Sequence, residues 1–440
     1  MSTPALDTLR VGLPPRTGEA DAGHADTPAA RAGTPVHGVE RRKMPYPYRA
    51  WLAICSDLDE TPDAGVYFGT LDLLNGSGPT RFGRGFGLEV GSTIYFDMPP
   101  GQFSYWNADD RARSAIRALI RSGHIDCLHS FGDLATTRGH AGRALDELTR
   151  YGCRLEVWVD HAVAPTNFGA DIMRGSGDVP GAAAFHADLS CAFGIEHVWR
   201  GRVTSVVGQG ADRDLAGIFQ PRHPIASGIT RAKEWAKGRA ARFGPKYAMH
   251  ASNDVLRRST LRSGHSVLEF LRCNPHWGGV SRGETADGVH EVLSAPMLGR
   301  LAAREGWCVL YTHLGKLVDP AKGFSRAALD AFGRLALAHH DGRILVTTTR
   351  RLLGYGRARA ATWKAAVRGG ALWIDVSSRV GADRLAAADL AGLTFYVPDA
   401  ARARLAVDGV ECPAIERNPP DHTGRASVSL PRPRLAYPRP

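Results

Sequence analysis

From about residue 44 to residue 349 the chain alternates short apolar runs with stretches whose apolar positions recur every three or four residues. The runs are AWLAICSD (50–57), GSTIYFD (91–97), HIDCLHS (124–130), CRLEVWVDH (153–161), IEHVW (195–199), HSVLEFLRC (265–273), WCVLYTH (307–313) and RILVTTT (343–349). The intervening segments 108–123, 140–152, 182–194, 294–306 and 325–339 have helical spacing. Apolar strands separated by helices predict an α/β fold with a parallel sheet, and about seven strands suit a distorted (β/α)7-type barrel spanning 44–369. Such a barrel collects the side chains at the carboxyl ends of its strands around one mouth.

From 370 to 412 the pattern becomes period-two without helices, in ALWIDVSS, LTFYVPD and RARLAVDG, which predicts a small β appendage. Residues 1–43 are rich in Ala, Gly, Pro, Thr and Asp and poor in large apolar side chains, so they read as a disordered arm. Residues 413–440 hold seven prolines and five arginines and read as an extended tail.

Composition changes this picture little. Of 440 residues, 43% are hydrophobic and 22% charged, ordinary values for a globular chain. No run approaches the ~18 apolar residues of a membrane span. Asp7, Glu19, Asp21 and Asp26 interrupt the first thirty residues, which lack the apolar core of a secretory signal, so a cytoplasmic location is expected. The seven cysteines contain no CxxC and mostly sit inside apolar runs, as buried thiols do. The net charge of +11 arises from 48 Arg and 7 Lys against 44 acids, which admits an acidic partner. No helix-turn-helix, zinc-finger or RNP pattern accompanies it, so nucleic acid is not expected. The glycine-rich TRFGRGFGLEVG (80–91) precedes a strand and reads as a turn rather than a phosphate loop. The basic RAKEWAKGRAARFGPK (231–246) reads as a solvated helix face with Trp235 and Phe243 packed inward.

The strand ends carry polar residues unsuited to plain packing: Asp57 and Asp59, His129 and Asp133, Asp160 and His161, and His313. Imidazoles and carboxylates converging on one mouth call for a cation or shifted pKa values, and that ligand mixture suits a divalent transition metal such as Zn, Mn, Fe, Co or Ni. Bland roles compete: Asp133 as a helix cap, His129 as a satisfied core histidine, Asn167 as a loop-fixing amide.

The arrangement resembles the polysaccharide deacetylase superfamily, metal-dependent carbohydrate esterases on a distorted seven-stranded barrel. Ser-Asp57-Leu-Asp59 stands where the family carries an aspartate pair, His129-Ser-Phe-Gly-Asp133 matches its histidine motif with Asp in place of the second His, and YTHLGK matches its late histidine strand. The resemblance implies Asp57 as catalytic base, His313 as catalytic acid, and Asp59, His129 and Asp133 as metal ligands. Arg272 is the positional candidate for the family's arginine and is grouped here with substrate contacts. His161 and Asn167, in WVDHAVAPTNFG, have no family counterpart; they either complete the metal shell, with His161 replacing the missing histidine, or contact substrate alongside Asp160.

The implied activity is hydrolysis of a C–N bond, removal of an N-acetyl group from a carbohydrate or glycan precursor, with room for a homo-oligomer. Two alternatives remain. One is a glycosidase using two of Asp57, Asp59 and Asp160, and the other an inactive carbohydrate-binding protein with a cleft lined by Trp106, Trp158, Trp199 and Trp277.

Overall fold

The computed structural model describes residues 34–35 and 38–438. Most of the predicted arm lies outside the described residues. The chain forms a mixed α/β fold around a curled, half-barrel sheet with helices packed outside it. Its parallel strands are β1 (Ala50–Ser56), β2 (Gly91–Ile94), β3 (Cys127–His129), β4 (Val157–Val159), β5 (His197–Trp199), β6 (Val203–Thr204), β7 (Ser266–Phe270), β8 (Arg272–Cys273), β9 (Trp307–Thr312) and β10 (Ile344–Thr347), and Leu256–Thr260 adds an antiparallel strand beside β7.

Every residue of β1 is buried, which explains its unbroken apolar run, because a strand covered on both faces has no solvated side to alternate with. It pairs in parallel with β9 along Trp307↔Trp51 to Thr312↔Ser56. On its other edge it pairs with β10 along its first half and with β2 at Cys55↔Gly91 and Ser56↔Ser92. β2, β3, β4 and β5 follow in order, all parallel. β5 pairs with β7, β6 with β8, and β8 with β9 at Cys273↔Leu310. The carboxyl ends of β1, β3, β4 and β9 therefore point the same way, and these ends carry the candidate side chains.

The flanking helices start and stop where the sequence signals it. Asp109 accepts from the Ala112 amide at 2.7 Å to cap helix Asp110–Ser122, and Gly123 closes it in the left-handed region. Ser325 caps Arg326–His340 in the same manner.

The β appendage is larger than its period-two signal. Trp363–Arg368, Ala371–Val376 and Ala403–Val407 form one sheet, extended by Val410–Glu411 and by Thr34–Pro35. Glu40–Arg41, Thr394–Tyr396, Ser427–Ser429 and Glu416–Asn418 form a second. The appendage joins the core at the amino ends of the strands, away from the mouth. Tyr355 stacks on Trp51 and lies 5.9 Å from Trp307, and the same buried cluster continues into Leu372, Ile374 and Leu405.

Both segments expected to be unstructured are built into the fold where they are described. The nearly buried Arg42 donates to the Met44, Pro45 and Tyr48 carbonyls and pairs with Asp421 at 2.8 Å. Beyond 413, Arg432 pairs with Glu89 and Tyr437 donates to Asp72. Composition alone misses these long-range ionic contacts. The glycine-rich stretch does contain a turn, with Pro79–Thr80 pairing antiparallel to Gly83–Arg84. The basic helix departs from expectation: Trp235 is 53% and Phe243 85% exposed, because its inward face is filled by Ser227, Thr230 and Glu234.

Candidate metal centre at the mouth of the sheet

Asp59 is the hub. It lies in the turn after β1, and its Oδ1 is 3.3 Å from His129 Nε2 and 3.1 Å from His161 Nδ1. Its Oδ2 is 3.0 Å from His313 Nε2, and Tyr95 donates its hydroxyl to Oδ1. Burial would raise the carboxyl pKa, but the surrounding imidazoles hold it well below the ordinary range. Tyr95 also stacks on His129 at 4.9 Å, and its phenol is raised well above normal by burial and by the Asp59 charge.

Three of these residues are followed by a strained backbone. Glu60, Ser130 and Ala162, each directly after Asp59, His129 or His161, have φ of 57°, 48° and 40°. Left-handed conformations at non-glycine residues cost roughly 1–3 kcal/mol each and cluster where geometry is functionally constrained. Gly132 (φ 100°) is required in the loop from His129 to Asp133, since a Cβ there would collide with the Asp97 carbonyl.

The tautomers are informative. His129 Nδ1 faces the Val159 carbonyl at 3.1 Å, so Nδ1 carries the proton. Its buried Nε2 has no hydrogen-bond partner and points at Asp59, with Asp57 Oδ1 at 3.9 Å. A neutral imidazole lone pair facing a carboxylate requires a cation between them, a proton or a metal ion. His161 faces Asp59 with Nδ1 and Asp133 with Nε2 at 3.1 Å. Burial opposes its charge, but the Asp133 and Asp59 carboxylates outweigh burial and push its pKa up to about 10. With a metal on Nδ1, the Nε2–H would donate to Asp133, the carboxylate–histidine arrangement that commonly orients metal ligands.

Asp59, His129 and His161 thus offer one ligand atom each within 4.8 Å of one another, and together they could hold a metal ion; Asp57, Asp59 and His313 form a second such grouping. Asp133, expected as a direct ligand, instead sits behind His161, with its side chain 42% exposed. Since His129 and Asp57 are almost fully buried, the centre opens to solvent on the Asp133 side.

Asp57 is held by Arg272, whose Nη1 and Nη2 donate to the two carboxylate oxygens at 2.8 and 2.7 Å. Nη2 also donates to the Cys55 carbonyl, and the guanidinium lies between Trp199 and Tyr311, 4.4 and 4.8 Å from their ring centroids. Burial works against the Arg272 charge, yet the Asp57 carboxylate more than compensates and its pKa is raised.

Three expected substrate contacts are not available as such. Arg272 is fully buried and acts on Asp57. Asp160 is fully buried, its oxygens taken by the Trp158 indole and the Phe168 and Gly169 amides, and burial raises its pKa to about 7. Asn167 closes the His161 loop, accepting from the His161 amide and donating to the His161 carbonyl. Both residues fix the loop that presents His161.

Sequence reasoning overlooked Tyr95 and Tyr311 and weighed Trp199 only as the wall of a binding cleft, because an aromatic within or beside an apolar run looks like core. The one available signal was that Tyr95 immediately follows β2 at its carboxyl end. Trp158 and Trp199 are buried, so the four tryptophans do not line a shared cleft.

No family model matches this chain, and neither does any curated protein or solved structure.

Proposed function

We propose that the chain is a divergent metal-dependent hydrolase of the polysaccharide-deacetylase type, removing an acyl group, N-acetyl by preference, from a carbohydrate. The observation that carries this reading is the Asp59–His129–His161 grouping, with the unpartnered Nε2 of His129 aimed into it. The fold reading follows the same line: β5–β6 and β7–β8 pair with each other across short interruptions, as one strand pair of a distorted (β/α)7 barrel would.

A divalent metal held there would supply a positive charge that acidifies water and stabilises developing negative charge on a substrate oxygen. The chain's own groups provide the rest. Asp57, fixed by Arg272, accepts the proton from the attacking water. His313 Nε2, on the opposite side of Asp59, delivers a proton to the leaving amine. Tyr95 and His129 exclude solvent behind the centre, so approach is confined to the Asp133 side. Of the glycosidase carboxylates, Asp160 is sealed by its hydrogen bonds, which leaves only the Asp57–Asp59 pair for that alternative.

Acetate release from N-acetylated chito-oligosaccharides tests the reading. The proposal expects turnover that chelation abolishes and added divalent metal restores. Asp57→Asn should lower kcat by ~10²–10⁴-fold while retaining metal. Turnover that survives exhaustive chelation, or full activity in Asp57→Asn, contradicts it.

A further inference from the structure

Helix Pro224–Ala240 turns an apolar stripe toward solvent. Ile225 is 79% and Ile229 52% exposed, and the exposed Ala232 and Ala236 continue the stripe at helical spacing. Trp235 lies along one edge, and Phe243 follows in the next turn, 85% exposed. Cations border the stripe: Arg222, Arg231, Lys233, Arg239 and Arg242, none in an ion pair among the described residues. Arg239 lies 5.4 Å from the Trp235 ring and Arg242 5.3 Å from the Phe243 ring. The one acid of the helix, Glu234, is buried, bonded to Thr204 and neutralised by Lys237 at 2.6 Å. The outer face is therefore cationic and apolar together, with no exposed acid on the helix to oppose an anion.

We propose that this face docks the protein onto an anionic lipid bilayer, Ile225, Ile229, Trp235 and Phe243 entering the interface and the bordering cations meeting lipid phosphates. A cationic border with aliphatic and aromatic residues at its centre is the pattern of helices that lie in a membrane surface. A nucleic acid or acidic glycan would use the cations and rings but would leave both isoleucines in water. Charge complementarity thus selects an anionic partner, and the aliphatic stripe selects lipid.

The face is anchored rigidly to the fold. Thr230 donates to the Trp277 carbonyl at 2.8 Å, and His223 stacks on the Trp277 ring at 3.7 Å. The loop containing Trp277 runs on to Glu284, whose carbonyl accepts from the His313 amide. The proposal uses no property of the metal centre, so either can fail without the other.

The test is co-sedimentation of the full chain with vesicles of phosphatidylcholine alone and vesicles in which one third of the lipid is phosphatidylglycerol. Binding is expected on the anionic vesicles only and should weaken as salt rises. Ile225→Ser with Ile229→Ser, and separately Arg231→Glu with Lys233→Glu, should each reduce partitioning at least ~10-fold. All four positions are exposed, so thermal unfolding should match wild type. Three results would overturn the proposal: no wild-type binding to anionic vesicles at low salt, binding lost in the charge pair but retained in the isoleucine pair, or a concentration-dependent dimer in light scattering that both pairs dissolve without vesicle binding.

Discussion

Glu89 and Asp59 are both carboxylates drawn into the protein, one before β2 and the other at the mouth, and they are compensated in opposite ways. Glu89 is bonded by Arg351 and Arg432 at 2.8 and 2.7 Å, by Thr347 and by the Leu435 amide. Burial alone would raise its pKa, but the two guanidinium charges hold it below the usual value. Those charges are permanent, so the cluster can do nothing but hold the C-terminal segment against the sheet. Asp59 instead faces three imidazoles and a phenol, groups whose protons can be exchanged. Its compensation is exchangeable, which is what a site that binds metal or moves protons needs. The backbone agrees: Glu60, Ser130 and Ala162 adopt positive φ beside the mouth, while no non-glycine residue adjoining Glu89 does.

The contrast should break most visibly with Glu89→Ala. Removing the acid leaves Arg351 and Arg432 uncompensated, so unfolding free energy should fall by about 3–5 kcal/mol in denaturant titrations with metal content per folded molecule unchanged. Asp59→Asn should cost the metal-free protein less than Glu89→Ala does, because imidazoles left without their carboxylate can shed a proton and guanidiniums cannot, and an equal loss in both variants would collapse the comparison.

The buried imidazoles sharpen it further. His186 has both nitrogens bonded, to Ser190 and to the Thr166 carbonyl, where His129 leaves Nε2 open. Burial lowers the His186 pKa to about 4, the Thr166 carbonyl only partly offsetting it. The unfolded chain gains this proton below pH ~6.5, whereas the folded protein resists until about 4. Stability present above pH ~6.5 is therefore lost as pH falls toward 4, by about 3 kcal/mol from this residue. The loss of stability between pH ~6.5 and about 4 should shrink by that amount in His186→Gln, and an unchanged loss would refute the assignment.

The smallest effect is at Ala162. Ala162→Gly should relieve the left-handed strain and stabilise the metal-free protein by up to about 1 kcal/mol, while loosening His161 and weakening metal affinity in a calorimetric titration.

What could be read from the sequence was what periodicity carries. Asp57 and Asp59 stand two apart after an unbroken apolar run, and His129 and His313 stand at or just beyond the ends of others, so strand direction alone brought them together. The share taken by Asp133 was not legible, because loop spacing gives proximity but not which imidazole nitrogen a carboxylate meets. Asp160 looked available because the amides that saturate it belong to a loop whose path has no sequence signature, whereas the loop-fixing role weighed for Asn167 is the one it fills. The contacts of the described parts of the terminal segments were hidden for a related reason: the partners of Arg42 and Arg432 lie 379 and 343 residues away along the chain. Trp235 and Phe243 were expected inside because helical spacing reveals an apolar stripe without saying which way it faces.

The account turns on whether Asp59, His129 and His161 are metal ligands, and metal content tests this most directly. The full chain would be stripped by chelator, reloaded with Zn, desalted and measured by inductively coupled plasma mass spectrometry, as wild type and as Asp57→Asn, Asp133→Asn and His161→Ala. The account predicts near-stoichiometric metal in wild type and Asp57→Asn, reduced but measurable metal in Asp133→Asn, and none in a folded His161→Ala. Equal metal in His161→Ala and wild type, or none in wild type after reloading with Zn, Mn, Fe, Co or Ni, would contradict it.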